Sequence, residues 1–460
     1  MTADSRAMRT GLGGLPGRLL DIPPGTKPYK LRCTKFGFRS GVLAPMRIPK
    51  VIVLALAVAA GALALPGTAS AAYSDPLTTT TKQNLVWHAT PAAALTALDN
   101  ALPNVSLNTV VNDSSYDMTG CTAAEKASLP KAPVATKAMC WDADRAGTTT
   151  WSPQAITTSG DADNDGKWGN DKIILSGWHG TAELGRYNDA RIQAINYNDP
   201  AKPSYRMMYL AVPNSTGTNF SAAQAHMGGM AWYGDKIYVT AEGSTSTAIR
   251  VFSTKHILQM TDTTTNTIGK TSAGYAAWTY KYAMMQIGYY SYAGGTCDMA
   301  SDTAVPCFSS MSLDRSTTPA SIVTSEYFKE TNLHGRLYRY PMGDDFLLAA
   351  SSGTVPATEA FRSNVGNVQG VLSNGGKWYV AHSSATTNGQ LWAQTTAKSA
   401  SATCDSGTTA CWAVHPEALT YDSSTGLVWS MAEWSTAQCA AKDQVCGRSV
   451  FAVPLSSLAG

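Results

Sequence analysis

The sequence predicts an all-β fold in which five copies of a four-stranded sheet curl into a closed ring, and three observations predict it. From Trp151 onward, short runs rich in Val, Ile, Tyr and Trp are separated by Gly, Ser, Thr, Asn and Asp, the texture of strands joined by turns. Those runs repeat one pattern five times. Only 15% of the 460 residues are charged and 44% are apolar, which excludes a disordered chain or a coiled coil.

The N-terminal 71 residues read as a leader. Residues 51–65 are an uncharged apolar run preceded by Arg47 and Lys50 and followed by Pro66 and the small-residue site Ala69-Ser70-Ala71, the pattern of a secretory signal peptide. The run stops short of the roughly 20 residues that span a bilayer. Met46 stands where such a signal would begin, which leaves residues 1–45 as a long leader or a misassigned start. No Cys follows the run to take a lipid anchor. The leader holds 10 of the 35 basic and 2 of the 32 acidic residues, so the mature chain keeps 25 basic and 30 acidic ones and is mildly acidic. Without a basic patch, nucleic acid and anionic membranes are not expected partners. The expectation is a secreted, extracellular monomer without a stable membrane anchor.

Residues 72–137 form an extension with one convincing helix, in which Thr90 would be the N-cap, Pro91 the first helical position and Pro103 the stop. Cys33 belongs to the leader. The other eight cysteines fall as near neighbours, Cys121 with Cys140, Cys297 with Cys307, Cys404 with Cys411 and Cys439 with Cys446. Local disulfides, suited to an oxidising compartment, are the simplest of the many possible connectivities. No paired Cys-x-x-Cys supports a zinc site.

The repeats occupy 152–195, 227–252, 308–340, 368–393 and 416–453. Each has a small-residue strand, a tight polar turn, a buried β-branched or aromatic strand, a variable loop and a third strand. The first-strand anchors Ile156, Met230, Met311, Val371 and Leu419 leave room for a fourth strand, for which 205–212, 280–290 and 346–350 are candidates. No such room follows the fifth copy, so residues near 138–141 would supply its fourth strand and close the ring, with Cys121 and Cys140 pinning it. The result is a five-bladed β-propeller closed by an N-terminal strand, carrying a short helical N-terminal extension. Over 138–460 the chain resembles the five-bladed β-propeller proteins at the level of architecture. That resemblance implies sugars as ligands, because five-bladed glycosidases place acidic residues near the central cavity and lectin-like members bind sugars between blades.

In such a ring the starts of first strands and the ends of second strands meet on one face. Starts carry Gln154, His226, Gln369, His415 and Glu417; ends carry His179, Glu242, Glu326, His382 and Glu433. Imidazoles and carboxylates gathered at a channel mouth suit acid–base chemistry or a transition metal of unspecified identity. Glu242 and Glu326 are the expected acid–base pair of a glycoside hydrolase, with His179, His226, His382, His415 and Glu417 completing the site and Gln154, Gln369 and Glu433 binding ligand. The expected ligand is an extracellular carbohydrate or small polyhydroxy molecule. The alternatives are a non-catalytic, lectin-like module and a metal-dependent lyase. Exposed members of the 12 Trp and 20 Tyr would stack sugar rings.

Asp161, Asp163 and Asp165, followed by Gly166, match the first half of an EF-hand-type loop and suggest a structural Ca2+, although Lys172 stands where the bidentate Glu belongs. Gly-x-Ser-x-Gly, phosphate-binding loops and His-Glu-x-x-His are missing.

Overall fold

The computed structural model of the chain describes residues 74–241, 245–329, 335–363, 365–394, 399–401 and 411–458, all within the unit Ala64–Gly460. The chain is mostly β. In the first repeat, strands Trp151–Thr158, Ile173–Gly180, Ala190–Asn196 and Ser204–Pro213 pair antiparallel in chain order. The second repeat does the same with Met230–Tyr233, Lys236–Thr240, Thr247–Gln259 and Tyr282–Tyr292. The two fourth strands, Tyr282–Tyr292 and Ser204–Pro213, pair parallel, so the first two repeats share one sheet.

The third repeat runs Phe308–Asp314, Ser321–Glu326, Arg336–Pro341 and Glu359–Ser363, and the fourth Val368–Asn374, Lys377–His382, Gln390–Gln394 and Ser399–Ser401. The fifth, Thr420–Asp422, Leu427–Met431 and Ser449–Pro454, takes its fourth strand from Lys137–Cys140, with Phe451 opposite Ala138. The disulfide Cys121–Cys140 ties that strand down, and Cys297–Cys307 and Cys439–Cys446 also form. Cys404 lies outside the described residues.

Strands buried on both faces, such as Trp151–Thr158 and Ile173–Gly180, pack between neighbours. Each pair of consecutive repeats has its own apolar cluster. Leu175 and Ile192 meet Met230 and Trp232 between the first and second repeats. Val251 and Tyr290 meet Met311 and Ile322 next, then Val323 and Leu337 meet Val371 and Val380, and Leu372 and Tyr379 meet Leu419 and Val428. Ile156, Ile174 and Trp178 meet Trp429, Met431 and Val450 between the first and fifth. Hydrogen bonds onto first strands contribute too: Thr240 Oγ1, at the end of a second strand, donates to the Ser309 carbonyl at 3.1 Å, the Val371 amide to Ser310 Oγ at 3.1 Å, and the Ala418 amide, just before the fifth repeat's first strand, to the Gln154 carbonyl at 3.2 Å.

Three elements differ from the sequence reading. The helix begins at Ala92, with Pro91 at its N-cap, because Thr90 Oγ1 donates to the Gln286 carbonyl at 2.9 Å and is spent there. The fourth strand of the third repeat is Glu359–Ser363, not 346–350. There Phe346 takes a left-handed φ of 60°, unsuited to a strand, and the Leu348 amide donates to Tyr290 Oη at 2.9 Å, tucking Leu348 beneath the loop. The extension also holds more than one helix, including Leu107–Asn112 and Ala123–Ala127, and its short strands Ser74–Pro76 and Leu85–Ala89 cover outer strands of the third and second repeats. Among the described residues, no helix is long and apolar enough to cross a membrane.

Candidate functional site

The first strands of the first, third and fourth repeats share one irregularity. The ladder slips between Pro153 and Ala155, between Phe308 and Ser310, and between Val368 and Gly370, leaving Gln154, Ser309 and Gln369 as the extra residue of a bulge. A bulge breaks the alternation of a strand and re-aims one side chain. Here it aims Gln369 at a cavity of about 490 Å3. The walls are Gln369, Asn367, Ser383 and Ser384 from the fourth repeat, His415, Glu433 and Trp434 from the fifth, and Tyr327 and Lys329 after the third repeat's second strand.

His415 forms the aromatic wall. Its ring lies 3.7 Å from that of Trp434 at an interplanar angle of 14°, and its Nε2 donates to Gln444 Oε1 at 2.8 Å. His415 holds a left-handed φ of 45°, and the Glu433 amide donates to its carbonyl at 3.0 Å. Strain of this kind persists only where surrounding contacts enforce it. Burial lowers the His415 pKa, Gln444 opposing, so the ring is neutral and keeps its stacking face near neutral pH.

Glu433 supplies the carboxyl. Ser152 Oγ donates to its Oε1 at 2.8 Å, and Arg448 Nε donates to its backbone carbonyl at 2.7 Å. Burial pushes this carboxyl above the usual carboxylate range, against the pull of Ser152 and the Arg448 charge. Gln369 Nε2 donates to Glu417 Oε1 at 3.0 Å, which places a second, buried carboxylate beside the cavity wall. His382 sits opposite Val368 in the same sheet, and its Nδ1 donates to the Gly366 carbonyl at 2.7 Å.

His179 and His226 form a separate pair, with ring centroids 4.1 Å apart. Nδ1 of His179 donates to the Gly180 carbonyl at 3.1 Å and Nδ1 of His226 to Asn188 Oδ1 at 3.3 Å. Burial pushes His179 down to about 3, His226 adding to the effect, and burial alone pushes His226 down to about 4. The pair connects to the cavity through Ser152, which faces His179 across the ladder and donates to Glu433.

The structure thus gathers Gln369, His415, Glu417 and Glu433 at one place, with Gln154 and His382 on adjoining backbone. It places Glu326 elsewhere, which corrects its assignment as an acid–base group. Both Glu326 oxygens are consumed: Oε1 accepts from the Cys307 amide and Arg336 Nη2, each at 2.7 Å, and Oε2 from the Arg336 amide at 2.9 Å and Nε at 2.7 Å. A carboxylate with four donors inside a fully buried ion pair has no lone pair to turn toward a substrate. Glu242 lies outside the described residues. Sequence reasoning missed Tyr327, Ser383 and Trp434, each of which directly follows a predicted second-strand end, Glu326, His382 or Glu433; the readable signal was the residue one step further on.

The Asp-rich turn is split. Asp161 is buried, accepting from Thr157 Oγ1 at 2.6 Å and from Thr420 Oγ1, and burial raises its pKa to about 7. Asp163 and Asp165 are exposed, and Asp165 accepts from the Lys167 amide at 2.8 Å. Among the described residues, no group of three or more His, Cys, Asp or Glu is arranged to hold a metal.

No protein-family model and no curated protein matches the chain. Among solved structures it is similar to a protein of unknown function from Bacteroides thetaiotaomicron, with 8% identity over 74% of this chain and 77% of that one and a TM-score of 0.30. It is also similar to the GH43_1 enzyme from Xanthomonas citri complexed with xylotriose, with 9% identity, coverage of 79% and 93%, and a TM-score of 0.27. A third is a Microbacterium saccharophilum β-fructofuranosidase mutant, with 10% identity, coverage of 78% and 80%, and a TM-score of 0.28. At these overlaps the likeness assigns neither a family nor an activity.

Proposed function

We propose that the mature chain is a secreted five-bladed β-propeller, closed through Lys137–Cys140, that binds an extracellular carbohydrate or related polyhydroxy ligand in the cavity of Gln369, His415, Glu433 and Trp434. One observation carries this reading. A rigid aromatic wall, His415 on Trp434, stands beside polar side chains, Asn367, Gln369 and Ser383, with one carboxyl among the described residues, Glu433. Sugars need both parts, a flat apolar surface for their C–H faces and fixed polar groups for their hydroxyls.

Hydrolysis is the second reading, and the raised carboxyl of Glu433 favours it. A carboxyl whose pKa burial raises is better suited to donate a proton to a leaving oxygen than an ordinary one, and Glu417, held by Gln369, supplies the second carboxylate that glycoside hydrolysis requires. In this scheme Glu433 and Glu417 replace Glu242 and Glu326.

The test titrates neutral xylo-, fructo-, gluco- and manno-oligosaccharides into the mature protein by calorimetry. At least one series binds saturably, and Trp434→Ala weakens it about tenfold. Glu433→Gln keeps binding and abolishes turnover if the site is hydrolytic; wild-type binding without turnover selects the lectin-like reading. Absence of saccharide binding, or wild-type affinity in Trp434→Ala, overturns the proposal.

A further inference from the structure

A second cavity, of about 480 Å3, shares no lining residue with the first. It opens beside the third and fourth strands of the first repeat. Among the described residues, four cationic side chains, Arg145, Arg191, Arg206 and Lys281, line it, against one carboxylate, Asp144. Arg191 is only 3% exposed. Its Nη1 donates to Tyr280 Oη at 2.5 Å, and its guanidinium lies 4.1 Å from the ring centre of Trp151 and 5.1 Å from that of Trp178. Among the described residues its partners are neutral: a tyrosine hydroxyl, a methionine sulfur and the Gln193 amide oxygen in its better-fitting orientation. A buried charge is costly unless an opposite charge meets it.

The neighbours deepen the imbalance. Arg145 Nε is buried with no hydrogen-bond partner among the described residues; its Nη1 lies 3.9 Å from a carboxylate oxygen of the highly exposed Asp144, and the charge of Asp142, which caps the same short helix, opposes the cost of its burial without a side-chain hydrogen bond to it among the described residues. Lys281 and Arg206 divide a single carboxylate, Asp113, at 2.9 and 3.4 Å. Trp278 and Thr279 hold the rim in left-handed conformations, with φ of 54° and 65°, a further sign of a wall shaped by its surroundings.

We infer that this cavity is a binding site for a small organic anion, a ring-bearing molecule whose carboxylate, sulfate or phosphate group is received by Arg191, Arg145 and Lys281 and whose ring packs on the half-buried Trp278. Guanidinium groups bind planar oxyanions through paired hydrogen bonds, and the aromatic wall gives the remainder of the ligand a surface to cover. This site is independent of the saccharide cavity and stands whether or not that cavity binds sugar.

Calorimetry at constant chloride, with sulfate, inorganic phosphate and glucuronate as probes and glucose as the uncharged control, tests the inference on the mature protein. At least one anion binds saturably while glucose does not compete for it. Arg145→Gln and Lys281→Gln, on more accessible side chains than Arg191 and therefore safer for folding, each weaken that binding about tenfold, the worth of one charge-assisted hydrogen bond. Glucuronate tighter than sulfate and phosphate identifies a carboxylated ring as the ligand; the reverse order identifies a sulfate or phosphate ester. Lack of saturable binding by all three anions, or unchanged affinity in both variants, overturns the inference.

Discussion

Glu326→Gln lowers the unfolding free energy by about 3–5 kcal/mol, the usual cost of removing one partner from a buried ion pair. Glu326 and Arg336 are both fully buried, and the pair closes a knot in the third repeat. Arg336 also donates to the backbone carbonyls of Ala304 at 2.6 Å, Asp298 at 3.1 Å and Val305 at 3.2 Å, anchoring the loop that the Cys297–Cys307 disulfide crosses. Without the carboxylate, the buried guanidinium is left among the described residues with backbone carbonyl acceptors, and the Cys307 amide loses a charged acceptor. Denaturant unfolding of the wild type, Glu326→Gln and the double variant Glu326→Gln/Arg336→Met measures it. The double variant recovers part of the loss because it removes the stranded charge. A loss under about 1 kcal/mol for Glu326→Gln would contradict the assignment of this residue to the framework.

Acid weakens the fold through His179 and His226. Their folded pKa values, about 3 and about 4, lie below the ordinary histidine value, so as pH falls below about 6.5 the unfolded chain takes up protons that the folded chain refuses. Stability from this source is complete above pH 6.5 and declines as pH falls toward the folded values. Two such groups account for up to about 4 kcal/mol lost between pH 7.5 and pH 5. Asp161 works in the opposite direction, since its raised pKa gives stability that is complete below the ordinary carboxylate value and is lost as pH rises from there to about 7. Its contribution cancels when wild type and His179→Gln/His226→Gln are compared at each pH. The difference between the two proteins, measured by urea unfolding, shifts in favour of the variant by up to the same amount on acidification; a pH-independent difference would show that the imidazoles are not held neutral.

Much of this was readable from the residues. The repeats and their strand order follow from runs of β-branched and aromatic residues with turn chemistry between them, and the lack of room for a fourth strand after the fifth copy points to 138–141, one residue from the strand 137–140 that pairs there. Gln154 and Gln369 were placed at first-strand starts, yet the bulges that aim them were not visible, because a slipped ladder changes hydrogen bonding without changing composition. The run at 346–350 has the apolar content of a strand, and only the backbone reveals the left-handed turn at Phe346. The framework role of Glu326 is not legible in its own neighbourhood, because its partner Arg336 lies ten residues later and meets it only when the hairpin folds back. Hidden partners of this kind also explain Asp161, whose hydroxyl donor Thr420 is supplied by the fifth repeat.

The fifth repeat is completed by Lys137–Cys140, which precede the first repeat in the chain. Native-state hydrogen exchange resolved to single amides tests it most directly. If the ring is closed as proposed, the ladder amides of 137–140 exchange with the same opening free energy as those of Ser449–Pro454, because the paired strands open together. Exchange of 137–140 at the rate of a free loop, while 449–454 stays protected, would contradict it.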